Sequence, residues 1–191
     1  MNSGKEFFMI LYINSCPRAE SRTNRMAMAL LKQLGDYKEV NLYQEKLLPL
    51  NEERLNQRTE LIEKKDYNSS MFKYAREFAQ ADTIVISAPF WDLSFPSELK
   101  IYLENIYVIG IVSRYGENGI PIGLCKAKQL YFVTTAGGTL VTQFGFDYIK
   151  ALAQDCFGIP DVKLIKAEML DILGNDAEAI LKEAISNNIK I

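Results

Sequence analysis

The sequence predicts an α/β protein in which a five-stranded parallel sheet lies between two layers of helices. Short runs of β-branched and aromatic residues, such as residues 7–13 and 83–88, are apolar throughout, as in strands buried on both faces. Segments with helical spacing of apolar residues separate these runs. Such alternation favours parallel strands joined by helical crossovers.

The predicted elements alternate from a first strand to a last helix. The strands are residues 7–13, 38–43, 83–88, 129–134 and 162–167, and the helices are approximately residues 23–33, 70–80, 97–107, 146–157 and 176–187. The second strand alternates in polarity, as a half-buried or edge strand does. Ser69 or Ser70 is expected to cap the second helix, and Asn175 the last one. Pro96 stands near the start of the third helix, where its missing N–H costs nothing.

Two segments follow neither pattern. Residues 44–68 are polar and charged, and we interpret them as a long connection with some helical turns. Residues 114–123 (RYGENGIPIG) are rich in turn residues and indicate an irregular excursion or a hairpin. No repeat or linker divides the chain, so residues 1–191 are expected to form a single domain.

Composition excludes several classes of function. The 22 basic and 24 acidic residues nearly cancel, and no basic stripe indicates a nucleic-acid partner. No apolar run has membrane-spanning length, and residues 1–4 lack the features of a signal peptide. The 3 cysteines are far apart and lack metal-ligand spacing. We therefore expect reduced thiols, no metal and a cytoplasmic protein.

Histidine is absent from the chain. The commonest general base and the commonest metal ligand are therefore both missing. Any chemistry must rest on carboxylates, hydroxyl groups, a thiol or a bound cofactor. In open parallel sheets, ligands bind outside the carboxyl ends of the strands. The loops that follow the three most apolar strands are therefore expected to converge on a site.

The first loop, residues 15–24, opens the first helix and carries hydroxyl groups at Ser15, Ser21 and Thr23. A phosphate would meet these hydroxyls, the free N–H groups of the helix start and its positive dipole end. The loop is neither a Walker A nor a GxGxxG sequence, which disfavours a nucleoside triphosphate or a Rossmann dinucleotide. Alternatively, Ser21 or Thr23 only caps the helix. Without histidine to activate it, Cys16 is interpreted mainly as a packing residue.

The second and third loops suit a flat ligand. Two large aromatic residues directly after a buried strand would hold a heteroaromatic ring, or else form a small cluster that covers the end of the sheet. The paired glycines of the third loop would let the backbone approach a ligand closely, although they also form ordinary turns. The candidates are Pro89, Phe90, Trp91, Asp92 and Leu93 in the second loop, and Thr135, Ala136, Gly137 and Gly138 in the third.

With these loops in view, the chain resembles the flavodoxin-like NAD(P)H:quinone reductase and FMN-dependent NADH-azoreductase family. The hydroxyl spacing of Ser15 and Ser21-Arg22-Thr23 is similar to the phosphate loop of that family. Pro89-Phe90-Trp91-Asp92-Leu93, followed by Pro96, resembles its flavin-binding segment, and Thr135-Ala136-Gly137-Gly138 resembles its third loop. Residues 114–119 also look like the excursion that covers the flavin region in many members. The likeness covers about residues 8–167.

The resemblance implies a flavodoxin-like three-layer sandwich and a homodimer with one FMN per subunit. It also implies hydride transfer from NAD(P)H and a ping-pong transfer of two electrons to a quinone, azo or similar aromatic acceptor. The hydroxyls of Ser15, Ser21 and Thr23 and the Arg22 amide would hold the phosphate. Backbone groups of residues 90–93 would line the isoalloxazine, and the third loop would border its pyrimidine end.

Two further expectations follow. Asp92 stands where the family has asparagine, and a carboxylate there would lower the flavin potential unless it is protonated or paired with Arg114 or Lys126. Apolar residues in the segment 101–112 exceed the need of one helix face, which would suit a dimer interface. Two alternatives remain open. One is a flavodoxin-type FMN electron carrier, which a net charge of -2 disfavours because carriers are strongly acidic for docking. The other is a flavin-free binding module on the same fold.

Overall fold

The computed structural model of the protein describes residues 8–189. Its strands are β1 (Ile10–Asn14), β2 (Tyr37–Asn41), β3 (Thr83–Ser87), β4 (Ser113–Tyr115), β5 (Pro121–Gly123), β6 (Gln129–Thr135) and β7 (Asp161–Ala167). Its α-helices are α1 (Arg22–Leu34), α2 (Glu52–Glu63), α3 (Lys73–Gln80), α4 (Ser97–Ile106), α5 (Phe146–Ala151) and α6 (Ala177–Asn188).

The main sheet contains five strands in the order β2-β1-β3-β6-β7, and every neighbouring pair is parallel. This is the strand order of flavodoxin-like sheets. The predicted fold class is confirmed. The predicted excursion is a two-stranded antiparallel hairpin of β4 and β5, outside the main sheet.

Side chains of β1 show how the sheet forms two cores. Ile10 and Tyr12 point to one face and Leu11 and Ile13 to the other, because side chains alternate along a strand. Helices α1 and α6 cover the first face, while α3, α4 and α5 cover the second. All four of these side chains are fully buried, which explains why the strand is apolar throughout.

Residues 44–68 contain a regular 12-residue helix, α2, rather than only scattered turns. Asn51 caps it by accepting the Arg54 N–H at 3.0 Å. None of its residues is buried, so the apolar spacing that identifies helices in a sequence is absent. Leu61 and Ile62 pack partly buried against the core, and two arginines hold the helix against α4. Arg54 donates to Asn105 Oδ1 at 3.2 Å, and Arg58 donates to the Glu104 carbonyl at 3.1 Å.

Two predicted helices are less regular than expected. A 3-10 turn, Ser70–Phe72, precedes α3, and Ser69 caps that turn by accepting the Met71 N–H at 3.4 Å. After α5 the chain continues as a π-helical segment, Leu152–Phe157. Hydrophobic spacing does not distinguish these variants from an α-helix because the two segments, of 3 and 6 residues, are too short for their different periods to show.

The predicted cap of the last helix was wrong by one residue. Asp176 caps α6, and its Oδ1 accepts the N–H groups of Glu178 and Ala179, both at 3.0 Å. The Asn175 side chain donates instead to the Met169 carbonyl at 2.8 Å, within the loop that precedes the helix.

The dimer interface expected in residues 101–112 stays a prediction, because apolar residues of this segment also have a place inside the chain. Helix α4 ends at Ile106, and the chain beyond it turns back into the core, where Val108 and Val112 are fully buried. The extra apolar residues therefore pack inside this chain. The predicted start of the first strand at Phe7 and residues 1–4 lie outside the described residues. Within residues 8–189, no helix is long and apolar enough to span a membrane.

Candidate functional site

The loops after β1, β3 and β6 meet at the carboxyl edge of the sheet. The three strands are adjacent and parallel, so their carboxyl ends are side by side. The chain leaves β1 for β2 on one side and returns to β3 on the other, which makes this edge the switch point where open sheets bind ligands. A cleft of about 380 Å³ lies there.

Most of the predicted site residues line this cleft. Those that do are Ser21, Arg22, Thr23, Pro89, Phe90, Trp91, Thr135, Ala136 and Gly137. Four others, Ser15, Asp92, Leu93 and Gly138, do not. The structure therefore brings all three loops together. In each loop, however, at least one predicted site residue does not line the cleft.

The start of α1 combines a cap with an anion-binding arrangement. Ser21 Oγ accepts the Asn24 N–H at 3.2 Å, so the capping interpretation is confirmed. The N–H groups of Arg22 and Thr23 have no acceptor within the helix, because they belong to its first turn. These groups and the positive end of the helix dipole suit a phosphate at the cleft.

Thr23 joins the first loop to the third. Its Oγ1 lies 2.6 Å from Thr135 Oγ1, and both residues are buried. One hydroxyl donates to the other, so the accepting hydroxyl keeps its own proton for a further acceptor. This contact sets the spacing between the two loops at the floor of the cleft.

Ser15 is fully buried at the end of β1. Its N–H donates to the Ser87 carbonyl at 2.9 Å, which continues the β1–β3 pairing into the loop. Its Oγ has no hydrogen-bond partner within the described residues. A buried hydroxyl without a partner is unfavourable, and a phosphate oxygen beside this loop would satisfy it.

A buried polar network supports the first loop from below. Tyr12 donates to Asn24 Oδ1 at 2.6 Å, and its hydroxyl lies 2.7 Å from Ser87 Oγ. Cys16 Sγ lies 3.4 Å from the same Ser87 oxygen. Burial raises the pKa of both the Tyr12 hydroxyl and the Cys16 thiol. Cys16 is therefore a protonated packing residue and not an activated nucleophile.

The second loop makes a tight turn next to the cleft. The N–H groups of Trp91 and Ser94 each donate to the carbonyl of the other, at 3.1 and 2.8 Å. Asp92 and Leu93 between them have φ values of 48° and 68°, as the central residues of a type I′ turn do. Leucine rarely adopts positive φ, so this backbone is strained. The turn leaves Trp91 43% and Leu93 50% exposed.

Asp92 is exposed and lies outside the cleft lining. Of the two cations considered as its partners, Lys126 forms an ion pair with Asp82 at 2.8 Å. The Asp92 side chain therefore faces solvent at the tip of the turn, where water weakens its field at the cleft.

A fourth loop contributes residues that the sequence interpretation missed. Leu170 and Asp171, which follow β7, line the cleft together with Pro17, Arg18 and Glu20 of the first loop. Arg22 Nη1 lies 2.8 Å from Asp171 Oδ1, so an ion pair joins α1 to this loop. The predicted strand order could have identified this loop as part of the site. A predicted fifth parallel strand must also end at this edge of the sheet.

Comparisons with known proteins agree with this arrangement. A protein family described as having a flavodoxin-like fold matches residues 9–190. The chain is 35% identical to an FMN-dependent NADH:quinone oxidoreductase of Clostridium acetobutylicum, over 92% of this chain and 94% of that protein.

Two solved structures from Bacillus anthracis share the fold. An azoreductase superposes with a TM-score of 0.82 at 19% identity, covering 95% of this chain and 96% of the other. An FMN-dependent NADH-azoreductase in complex with FMN gives a TM-score of 0.78 at 23% identity, covering 93% and 94%. The chain belongs to the flavodoxin-like family that includes these FMN-dependent NADH:quinone oxidoreductases.

Proposed function

We propose that this chain, as a single cytoplasmic domain, is an FMN-dependent NAD(P)H oxidoreductase. It passes two electrons by a ping-pong mechanism to a quinone, azo compound or similar aromatic acceptor. The observation that carries the proposal is the convergence of hydroxyl, aromatic and glycine loops on one cleft at the switch point of the sheet. The 35% identical relative is an FMN-dependent NADH:quinone oxidoreductase, which supports the same conclusion.

The phosphate of FMN fits the start of α1. The N–H groups of Arg22 and Thr23 and the hydroxyls of Ser15 and Ser21 are the donors. Arg22 adds a cation that can form charge-assisted hydrogen bonds with phosphate oxygens. Because a phosphate accepts several hydrogen bonds, it uses the buried donors that this chain leaves unpaired.

The isoalloxazine suits the second and third loops. Phe90 and Trp91 offer aromatic surface, while backbone N–H groups of residues 90–93 are donors for the polar edge of the ring. Residues 135–138 border its pyrimidine end, where glycine allows close approach of the backbone. When bound, FMN supplies the redox chemistry, accepting a hydride from NAD(P)H and returning two electrons to the acceptor. The chain itself supplies binding and orientation, for which no histidine is needed.

We also propose a homodimer whose interface lies beside the second loop. Ser94 Oγ donates to the Phe144 carbonyl at 2.8 Å, so the Trp91–Ser94 turn packs against the loop that precedes α5. Trp91, Leu93 and Phe144 are about half exposed at this place. Neighbouring exposed apolar side chains are typical of protein interfaces. Light scattering at micromolar concentration should give twice the monomer mass, and a monomer would refute the dimer.

A spectroscopic experiment tests the function. The purified protein, supplied with FMN, should show the visible absorbance of a bound flavin. Under anaerobic conditions NADH or NADPH should bleach that absorbance within one turnover time, and a benzoquinone should then restore it. Each half-reaction should proceed without the other substrate, as a ping-pong mechanism requires.

The outcomes separate the alternatives. A colourless protein that FMN does not restore would identify a flavin-free module. A bound flavin that neither nicotinamide nucleotide reduces would identify an electron carrier.

The three free cysteines support a cytoplasmic location, because secreted proteins usually pair their cysteines in disulfides.

A further inference from the structure

The ion pair between Arg22 and Asp171 lies in the cleft where we propose that the FMN phosphate binds. Arg22 Nη1 is 2.8 Å from Asp171 Oδ1, and both residues line the cleft. The two residues are 149 positions apart in the chain, so the tertiary fold brings them together. Arg22 therefore already donates to a carboxylate oxygen, and a phosphate oxygen would have to bind the same guanidinium group.

Backbone contacts, and not the ion pair, hold Asp171 in this place. Its N–H donates to the Gly137 carbonyl at 2.9 Å, and the Met169 N–H donates to the Gly138 carbonyl at 2.9 Å. Its carboxylate packs directly on Gly137, since a Cβ there would lie 2.5 Å from Asp171 Oδ2. Asp171 therefore remains beside the third loop whether or not Arg22 finds another partner.

We infer that Asp171 sets the affinity for FMN by competing with the flavin phosphate for Arg22 and by repelling it. This inference rests on the proposed function. A phosphate monoester carries between one and two negative charges at pH 7. Binding it beside Asp171 brings like charges together and requires Arg22 to release or share its carboxylate partner. Asp171 thus weakens phosphate binding, and the chain holds FMN less tightly than the donors of the first loop alone would allow.

The test compares FMN with riboflavin, which has the same ring system and no phosphate. Dissociation constants are measured from the quenching of flavin fluorescence, with the flavin-free parent protein and with Asp171→Asn. The substitution preserves size and a side-chain oxygen while removing one negative charge. FMN should bind about three- to tenfold more tightly to the variant, the effect of removing one like charge near a solvent-screened site. Riboflavin affinity should stay the same.

Glu178→Gln is the matched control. Glu178 of α6 forms an ion pair at 2.7 Å with Arg25, which lies on α1 as Arg22 does, and neither Glu178 nor Arg25 lines the cleft. The Glu178→Gln substitution removes one negative charge from a similarly exposed ion pair. It should leave the affinities for FMN and for riboflavin unchanged. Circular dichroism establishes that the variants are folded.

Each result bears on the inference. Equal or weaker FMN binding by folded Asp171→Asn overturns it, as does an equal gain for FMN and riboflavin. A gain of the same size in Glu178→Gln also overturns it, because the effect would then follow net charge alone. FMN binding only by Asp171→Asn supports it. If neither the parent nor the variant binds FMN, the proposed function fails and this inference fails with it.

Discussion

The two ends of the cleft differ in how deeply their residues are buried and in how many hydrogen bonds hold them. At the start of α1, Thr23 pairs with Thr135 and Tyr12 with Asn24 through short hydrogen bonds, and Ser15 is fully buried beside them. At the second loop, Trp91 and Leu93 are about half exposed on a strained turn. The first end is rigid because strands and a helix fix its donors. The second is an open apolar surface.

This difference indicates separate tasks for the two ends. A phosphate needs fixed donors in a defined geometry, and secondary structure supplies them. A ring that must meet two substrates in turn needs an accessible face, and a protruding turn supplies it. The strain in that turn is consistent with a functional constraint, since folding alone would not select leucine at positive φ.

The largest expected effect concerns the cation at the rigid end. Arg22→Ala should weaken FMN binding by about tenfold to a hundredfold, because it removes a charge-assisted contact with the phosphate. Riboflavin binding should change little. Arg25→Ala is the control, since Arg25 lies on the same helix and pairs with Glu178 outside the cleft. Titration followed by flavin fluorescence measures both. Equal losses in the two variants would refute a specific role for Arg22.

Next in size is the effect on stability of the network below the first loop. Tyr12→Phe should lower the free energy of unfolding by about 1–2 kcal/mol, because it removes the hydrogen bonds that the buried Tyr12 hydroxyl makes with Asn24 and Ser87. Urea unfolding measures the change. Tyr115→Phe, at a side chain that is 62% exposed, should change it by less than about 0.5 kcal/mol. Similar losses in both variants would contradict a rigid end supported by this network.

A substitution in the strained turn should raise the free energy of unfolding, whereas Tyr12→Phe should lower it. Leu93→Gly should raise the free energy of unfolding by about 0.5–1 kcal/mol, because glycine adopts positive φ without steric cost. Leu55→Gly is the control at similar exposure in α2, where glycine should cost about 1 kcal/mol. Loss of stability in Leu93→Gly would show that packing of the leucine outweighs the strain. Light scattering on the same variant tests whether Leu93 contributes to a dimer.

The smallest expected effect concerns the charge at the tip of the turn. Asp92→Asn should raise the potential of the bound flavin by only about 10–20 mV, because an exposed carboxylate acts through water. Equilibration with a reference dye measures the potential. Glu53→Gln, at an exposed position on α2, should leave it unchanged. An unchanged potential in Asp92→Asn would exclude flavin tuning by this residue.

The strands of the sheet and the edge where the site lies follow from local patterns in the amino-acid sequence. β1, β3 and β6 are buried on both faces, so their composition identifies them without further information. Parallel strands joined by helices must end at one edge, and that rule alone predicted the convergence of three loops. Ser21 and Thr23 were both candidate caps, because capping depends on residues only three positions apart, and the structure assigns the cap to Ser21.

Features that depend on contacts between distant parts of the chain became visible only in the folded protein. Helix α2 buries none of its residues, so no apolar pattern marked it. The segment after α4 is apolar because the chain's own core covers it, and the sequence alone could equally have placed it in an interface. Arg22 forms an ion pair with Asp171, which lies 149 positions later in the sequence. Local patterns encode burial and backbone preference, whereas the pairing of charges depends on which loops the fold brings together.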